Sequence, residues 1–211
     1  NLLGPDHPST LTTISNLAGL YRRRGDYEQA EAYYTRCLET RERLLGPDHP
    51  DTLTIVNNLG LLYSDKGDDE IAEKYYLRAL KTKENLLGPD HPSTLTTISN
   101  LASLYRRKGN YEQAETYFIR CLETRERLLG PDHPKTNITR YDLAGLLSDQ
   151  DRYQESIPLR RLELDVASRR DGRNAPGTLT SLNDLAIDLR NVGELEESEA
   201  MLRELLASSK R

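Results

Sequence analysis

Apolar side chains in this chain recur at helical spacing. From Leu11 the run is Leu11, Ile14, Leu17, Ala18 and Tyr21, the i, i+3, i+4, i+7 stripe that turns one helix face to a core. Gly25 interrupts it, and a second run follows at Tyr27, Ala30, Tyr34, Cys37, Leu38, Arg41, Leu44 and Leu45. The spacing predicts a helix A, a tight turn at Gly25-Asp26 and a longer helix B. The unit then repeats. Leu-Gly-Pro-Asp-His-Pro begins at Leu3, Leu45, Leu87 and Leu129, 42 residues apart each time, and Asp171-Gly-Arg-Asn-Ala-Pro176 keeps the register as a worn fifth copy. Segments 1–50 and 85–134 differ only at Gly19/Ser103, Arg24/Lys108, Asp26/Asn110, Ala32/Thr116, Tyr34/Phe118 and Thr35/Ile119. A block of two repeats has been duplicated.

Each hexapeptide closes one helix and opens the next. Gly46 is expected to take the left-handed conformation that ends helix B, and Pro47 cannot continue it. Pro50 suits the first turn of the following helix A, with Asp48 or His49 as the cap. Five hairpins result, at about 9–45, 51–87, 93–129, 135–170 and 177–208, with 1–8 as the end of a preceding repeat. Asn1-Leu2-Leu3 matches Asn85-Leu86-Leu87, the end of a helix B, which points to a fragment of a longer array. One hairpin cannot bury its apolar face alone, so neighbours must stack. Small residues leave room for this at Ala18, Gly60, Ala102, Ala144 and Ala186 on helix A, and at Ala30, Ala72, Ala114, Ser156 and Ser198 on helix B. The expected fold is a single all-α, right-handed superhelical solenoid.

Repeats 4 and 5 break the pattern. Asp151 replaces the turn glycine, Arg140 an apolar helix A residue, and Arg160 and Glu163 stand where repeat 1 has Tyr34 and Cys37. Pro158 falls inside helix B and removes a backbone hydrogen bond. Looser packing is expected there.

Composition narrows the function. No apolar run approaches the roughly 20 residues of a membrane helix, and no signal peptide is visible. A net charge of −5 and a pI near 5.5 argue against nucleic acid, whose binders usually carry a basic surplus. Cys37 and Cys121 lie two repeats apart, on the order of 20 Å, beyond the roughly 7 Å that a disulfide tolerates. Unpaired thiols suit the cytoplasm.

No chemistry emerges from the conspicuous residues. His7, His49, His91 and His133 recur once per repeat, on the order of 10 Å apart, whereas a zinc ion needs ligands at about 2.3 Å. They read as helix-start residues. The Asp-His pairs have no nucleophile at a fixed offset. Nucleotide-binding glycine loops are absent. No catalytic residue, metal or cofactor is expected.

The recurring motifs carry a family resemblance. Asn-Leu-Ala-Gly-Leu-Tyr at 16–21, Asn-Leu-Gly-Leu-Leu-Tyr at 58–63 and Asn-Leu-Ala-Ser-Leu-Tyr at 100–105 alternate with Tyr-Glu-Gln-Ala-Glu at 27–31 and 111–115. With the linking hexapeptide, the whole chain resembles tetratricopeptide repeats of the 42-residue, kinesin light chain-like form. The resemblance implies a scaffold in which helix A lines a concave groove that holds an extended peptide. Carried over by motif, the peptide-binding positions are Thr12, Asn16, Arg22 and Arg23, then Thr54, Asn57 and Asn58, then Thr96, Asn100, Arg106 and Arg107. Asparagine amides can both donate to and accept from a peptide backbone. The arginine pairs favour acidic side chains beside an apolar anchor. The other readings are a sensor segment of a larger signalling ATPase or protease, and a nucleic-acid-binding array.

Overall fold

The computed structural model describes residues 4–208; the matching Asn1-Leu2-Leu3 lies outside them. Among the described residues there are ten helices and no strand: α1 (Pro8–Arg24), α2 (Tyr27–Leu45), α3 (Pro50–Lys66), α4 (Asp69–Leu87), α5 (Pro92–Arg107), α6 (Tyr111–Leu129), α7 (Pro134–Ser148), α8 (Tyr153–Asp171), α9 (Pro176–Asn191) and α10 (Leu195–Ser208). They form helix-turn-helix repeats in two compact units, one ending at Lys108 and the other beginning at Gly109.

Each helix A starts at the second proline of the hexapeptide; in α1, α3, α5 and α7 the histidine before it is the cap, while α9 has Ala175 there and no side-chain cap. Nδ1 of His7, His49, His91 and His133 accepts from the N–H two residues on, at 3.1 Å in every case. The recurrence of these histidines is thereby explained without a metal. Helix B ends differently from the expectation. Gly46 has the positive φ of 94°, but its ψ of 161° lies far from the left-handed helical region. That corner of backbone space is essentially reserved for glycine. Gly46→Val is therefore expected to cost about 1–3 kcal/mol, and no packing clash contributes, since nothing lies within 4 Å of a Cβ there. Denaturant midpoints of the two proteins test this; equal midpoints would mean that Gly46 tolerates a side chain.

In the first unit, helices pack in chain order from α1 to α5, and α3 also touches α1 and α5. The expected small residues are buried: Ala18, Ala30, Ala72 and Ala102 at 0% exposure. Gly60 must be a glycine, because a Cβ would lie 2.6 Å from Cε1 of the fully buried Tyr76. Ring stacks recur with the period, Tyr21 on Tyr33 and Tyr63 on Tyr75, both at 5.6 Å. A polar clasp recurs too. Glu31 accepts from the Tyr63 hydroxyl (2.8 Å) and Lys66 (2.9 Å), and Glu73 accepts likewise from Tyr105 (2.9 Å) and Lys108 (2.6 Å).

In the second unit, α7 packs on α6 and α8, and α9 on α8 and α10. Asp151 adopts φ 58°, the left-handed value of the glycine it replaces, which aspartate tolerates better than most residues. Helix α8 continues through Pro158. The charged side chains that replace apolar ones here are nonetheless packed inside, since Arg140, Arg160 and Glu163 are all buried.

Candidate functional site

Two places bring polar groups together, one in each unit. The first is the face built by α1 and α3. Asn16 is exposed, Asn58 is half-buried, and both line one shallow pocket with Ser15, Gly19, Leu20, Arg22, Arg23 and Tyr34. Neither amide is spent on a hydrogen bond within the described residues. The three threonines of the row are exposed, but each gives its hydroxyl proton to the carbonyl one turn back. Thr12 donates to Pro8, Thr54 to Pro50 and Thr96 to Pro92, at 3.0, 3.0 and 2.9 Å. They can only accept from a ligand.

Other predicted residues are committed to the protein. Asn57, read as a groove residue, is 6% exposed, and its Oδ1 accepts from Thr97 (3.1 Å) and Asn100 (3.3 Å). It pins α3 to α5 instead. Arg22 pairs with Asp65 at 2.5 Å. Arg107 pairs with Asp69 and donates to Ser64 Oγ at 2.9 Å. The charges of Arg22 and Arg107 are thus neutralised within the unit. Arg106 is half-buried, and Arg23 is exposed and forms no ion pair among the described residues.

The second place was not anticipated. In the second unit α7, α8 and α9 enclose a pocket of about 250 Å³, lined by Pro134, Asn137, Ile138, Tyr141, Glu163, Ala167, Arg170, Asp171, Gly177, Thr180 and Ser181. Glu163, at 6% exposure, is its buried acid. Oε1 accepts from Asn137 Nδ2 at 3.2 Å, while Oε2 has no hydrogen-bond partner. Ser181 stands close, yet its one proton goes to the Gly177 carbonyl at 3.1 Å. Burial pushes the Glu163 carboxyl up, against the opposing pull of Ser181, Arg160 and Arg140.

Behind this pocket lie two charge networks. Arg160 Nε donates to Asp188 Oδ2 at 2.6 Å, and its Nη1 to Asp184 Oδ2 at 3.2 Å. Tyr141 also donates to Asp184, at 2.8 Å. Arg140 binds Asn137 Oδ1 (2.9 Å) and Glu126 Oε1 (2.8 Å), and Arg170 pairs with its neighbour Asp171. In these ion pairs Arg140, Arg160 and Arg170 meet four carboxylates, Glu126, Asp184, Asp188 and Asp171, and Glu163 adds a fifth, so carboxylates outnumber guanidiniums in this group.

The one sequence signal for this site is a broken column. Arg41, Lys83 and Arg125, 42 residues apart, are buried basic residues on an otherwise apolar face. Each reaches the first turn of the following helix A: Arg41 donates to Asp51 O (2.7 Å), Lys83 to Ser93 O (3.4 Å) and Arg125 to Lys135 O (3.3 Å). The fourth member of the column is Ala167.

Among the described residues no helix is long and apolar enough to cross a membrane. Compared with protein families, the chain matches Tetratricopeptide repeat over residues 9–85, 57–117, 93–159 and 136–211. No curated protein matches it. Solved structures do. A protein from Podosopora anserina, described as having kinesin light chain nearly identical TPR-like repeats, is 22% identical with a TM-score of 0.82, over 96% of each chain. BtubC (BKLC) from P. vanneervenii is 23% identical with a TM-score of 0.86, over 96% of this chain and 80% of that one. A Signal Transduction ATPase with Numerous Domains from Pyrococcus horikoshii, which carries a tetratricopeptide repeat sensor, is 16% identical with a TM-score of 0.80, over 99% of this chain and 31% of its own.

Proposed function

We propose that this chain, which belongs to the tetratricopeptide repeat family, is a protein-interaction scaffold that grips an extended peptide on the face of α1 and α3. Repeats of this family are generally interaction scaffolds rather than catalysts. The observation that carries the reading is the pair Asn16 and Asn58, two unspent amides lining one pocket. Side by side, they can donate to peptide carbonyls and accept from peptide N–H groups. Leu20, 47% exposed in the same pocket, offers an apolar side chain to an anchor residue. Arg23 carries the preference for acidic ligands, because Arg22 and Arg107 are already neutralised. We place the protein in the cytoplasm, where the buried Cys37 and Cys121, neither of them in a disulfide, stay reduced. The 42-residue period runs unbroken across Lys108 and Gly109, which supports a single array. A sensor segment of a larger signalling ATPase is the second reading; the Pyrococcus horikoshii likeness supports its fold.

The test is calorimetry with the strongest binder from an array of immobilised short peptides. Asn16→Ala and Asn58→Ala are each expected to lose about 0.5–1.5 kcal/mol per backbone hydrogen bond without loss of helicity. Arg23→Glu should weaken acidic peptides more at low salt than at high, since exposed charges are screened over roughly 10 Å at 0.1 M. If these variants bind like wild type while Arg36→Glu on α2 abolishes binding, the working surface is on helix B and the proposal is wrong.

A further inference from the structure

We propose that the pocket between α7, α8 and α9 is a binding site for a primary ammonium on an apolar stem. Its template is inside the chain. Lys83, buried on helix α4, places Nζ 3.4 Å from Ser93 O and 2.9 Å from Thr97 Oγ1. Advanced by two repeats, those acceptors are Gly177 O and Ser181 Oγ, and both residues line the pocket. Ala167 stands where the lysine would be. The acceptors are therefore retained and the cation that uses them is missing.

A second, independent observation points the same way. One helical turn before Ala167, Glu163 occupies the register filled by Cys37, Ala79 and Cys121 in the other repeats. It adds a buried carboxylate oxygen that makes no hydrogen bond, the nearby Ser181 hydroxyl being turned to Gly177 O. Buried acceptors are ordinarily satisfied, and a buried charge calls for an opposite one. The carboxylate surplus around the pocket selects a cation, and the apolar lining from Ile138 and Ala167 suits an alkyl stem. A space of about 250 Å³ is below the roughly 300–1,000 Å³ of drug-sized sites, and it matches a single side chain. This assignment does not rest on the peptide face of α1 and α3.

The probes are Nα-acetyl-lysine methylamide, its uncharged norleucine analogue and n-butylamine, titrated into the full chain while NMR follows the methyl groups of Ile138 and Ala167. The lysine probe is expected to shift both saturably and to bind at least ~10-fold more tightly than the norleucine analogue. If n-butylamine binds as well, a free amine suffices as the ligand; if it does not, the ammonium comes from a lysine of a polypeptide. Glu163→Gln keeps an acceptor for Asn137 and should lose the preference for charge with the fold intact. Ala167→Lys should complete the column, raise the melting temperature and abolish probe binding. Equal affinity for the charged and uncharged probes, no saturable shift, or unchanged binding in both variants would overturn the assignment.

Discussion

Asp188→Ala is expected to destabilise the second unit by about 3–5 kcal/mol, the cost of breaking a buried ion pair from one side. Arg160 and Asp188 are only 7% and 2% exposed and meet at 2.6 Å. Oδ2 of Asp188 also accepts from Ser148 (2.8 Å) and Ser156 (2.6 Å). Removing the carboxylate strands a guanidinium whose remaining acid, Asp184, is 3.2 Å away. Exposure decides the magnitude. Arg161 and Glu197 meet at 2.5 Å, but at 46% and 39% exposure, so Glu197→Ala should cost no more than about 1 kcal/mol. The double variant separates charge from space. Repeats 1 and 2 place Tyr34 and Leu62 at these registers within one apolar cluster. Arg160→Tyr combined with Asp188→Leu should therefore recover most of the loss. Urea denaturation followed by circular dichroism reads all of these proteins. A loss below about 1 kcal/mol for Asp188→Ala, or simple additivity in the double variant, would sink the account.

Stability should also rise with pH because of Lys83. The side chain is 2% exposed, and burial pushes its pKa down to about 8 from 10.5. Between those values the unfolded chain holds a proton that the folded chain has released, so the unfolded state binds more protons and stability climbs with pH. At about 1.4 kcal/mol per pH unit, the gain approaches about 3 kcal/mol across the window. Other groups titrate nearby, and burial raises the Tyr76 phenol, which works in the opposite direction above its ordinary range. The difference between wild type and Lys83→Met isolates the lysine. That difference should grow in favour of wild type from pH 8 upward; a flat difference would mean that Nζ keeps its proton as easily as in water.

Much of this was legible in the sequence because the period fixes register. Helix A and helix B, the small contact residues and the proline starts all follow from local rules that act on a few neighbouring residues. The histidine caps follow in the same way. What the sequence hid was pairing between repeats. Asn57 looks like a groove residue until Thr97 and Asn100 are seen on its carbonyl. Arg22 looks available until Asp65, 43 residues on, is seen beside it. Glu163 and Arg160 read as erosion, because a charge at an apolar register is explained only by a partner on another helix. The Lys83 column could have been found by asking which repeat lacks its basic residue. That question needs the first-turn carbonyls as acceptors, and they carry no mark in the sequence.

The Arg160–Asp188 pair also decides how copies are told apart. Segments 1–50 and 85–134 differ at the six pairs named above, so their surfaces offer nearly equal fits to each other's neighbours. Exchange of mates between such copies is a characteristic failure of repeat proteins as they fold. Helix α8 is exempt. The register that Asp188 occupies on α9 is held by Leu62, Leu104 and Leu146 elsewhere, and a guanidinium sealed against leucine would have no counter-charge. Mis-docked α8 is rejected on that ground alone. The ion pair is a sorting label, and it would keep hairpins 4 and 5 together however many times the block before them were copied.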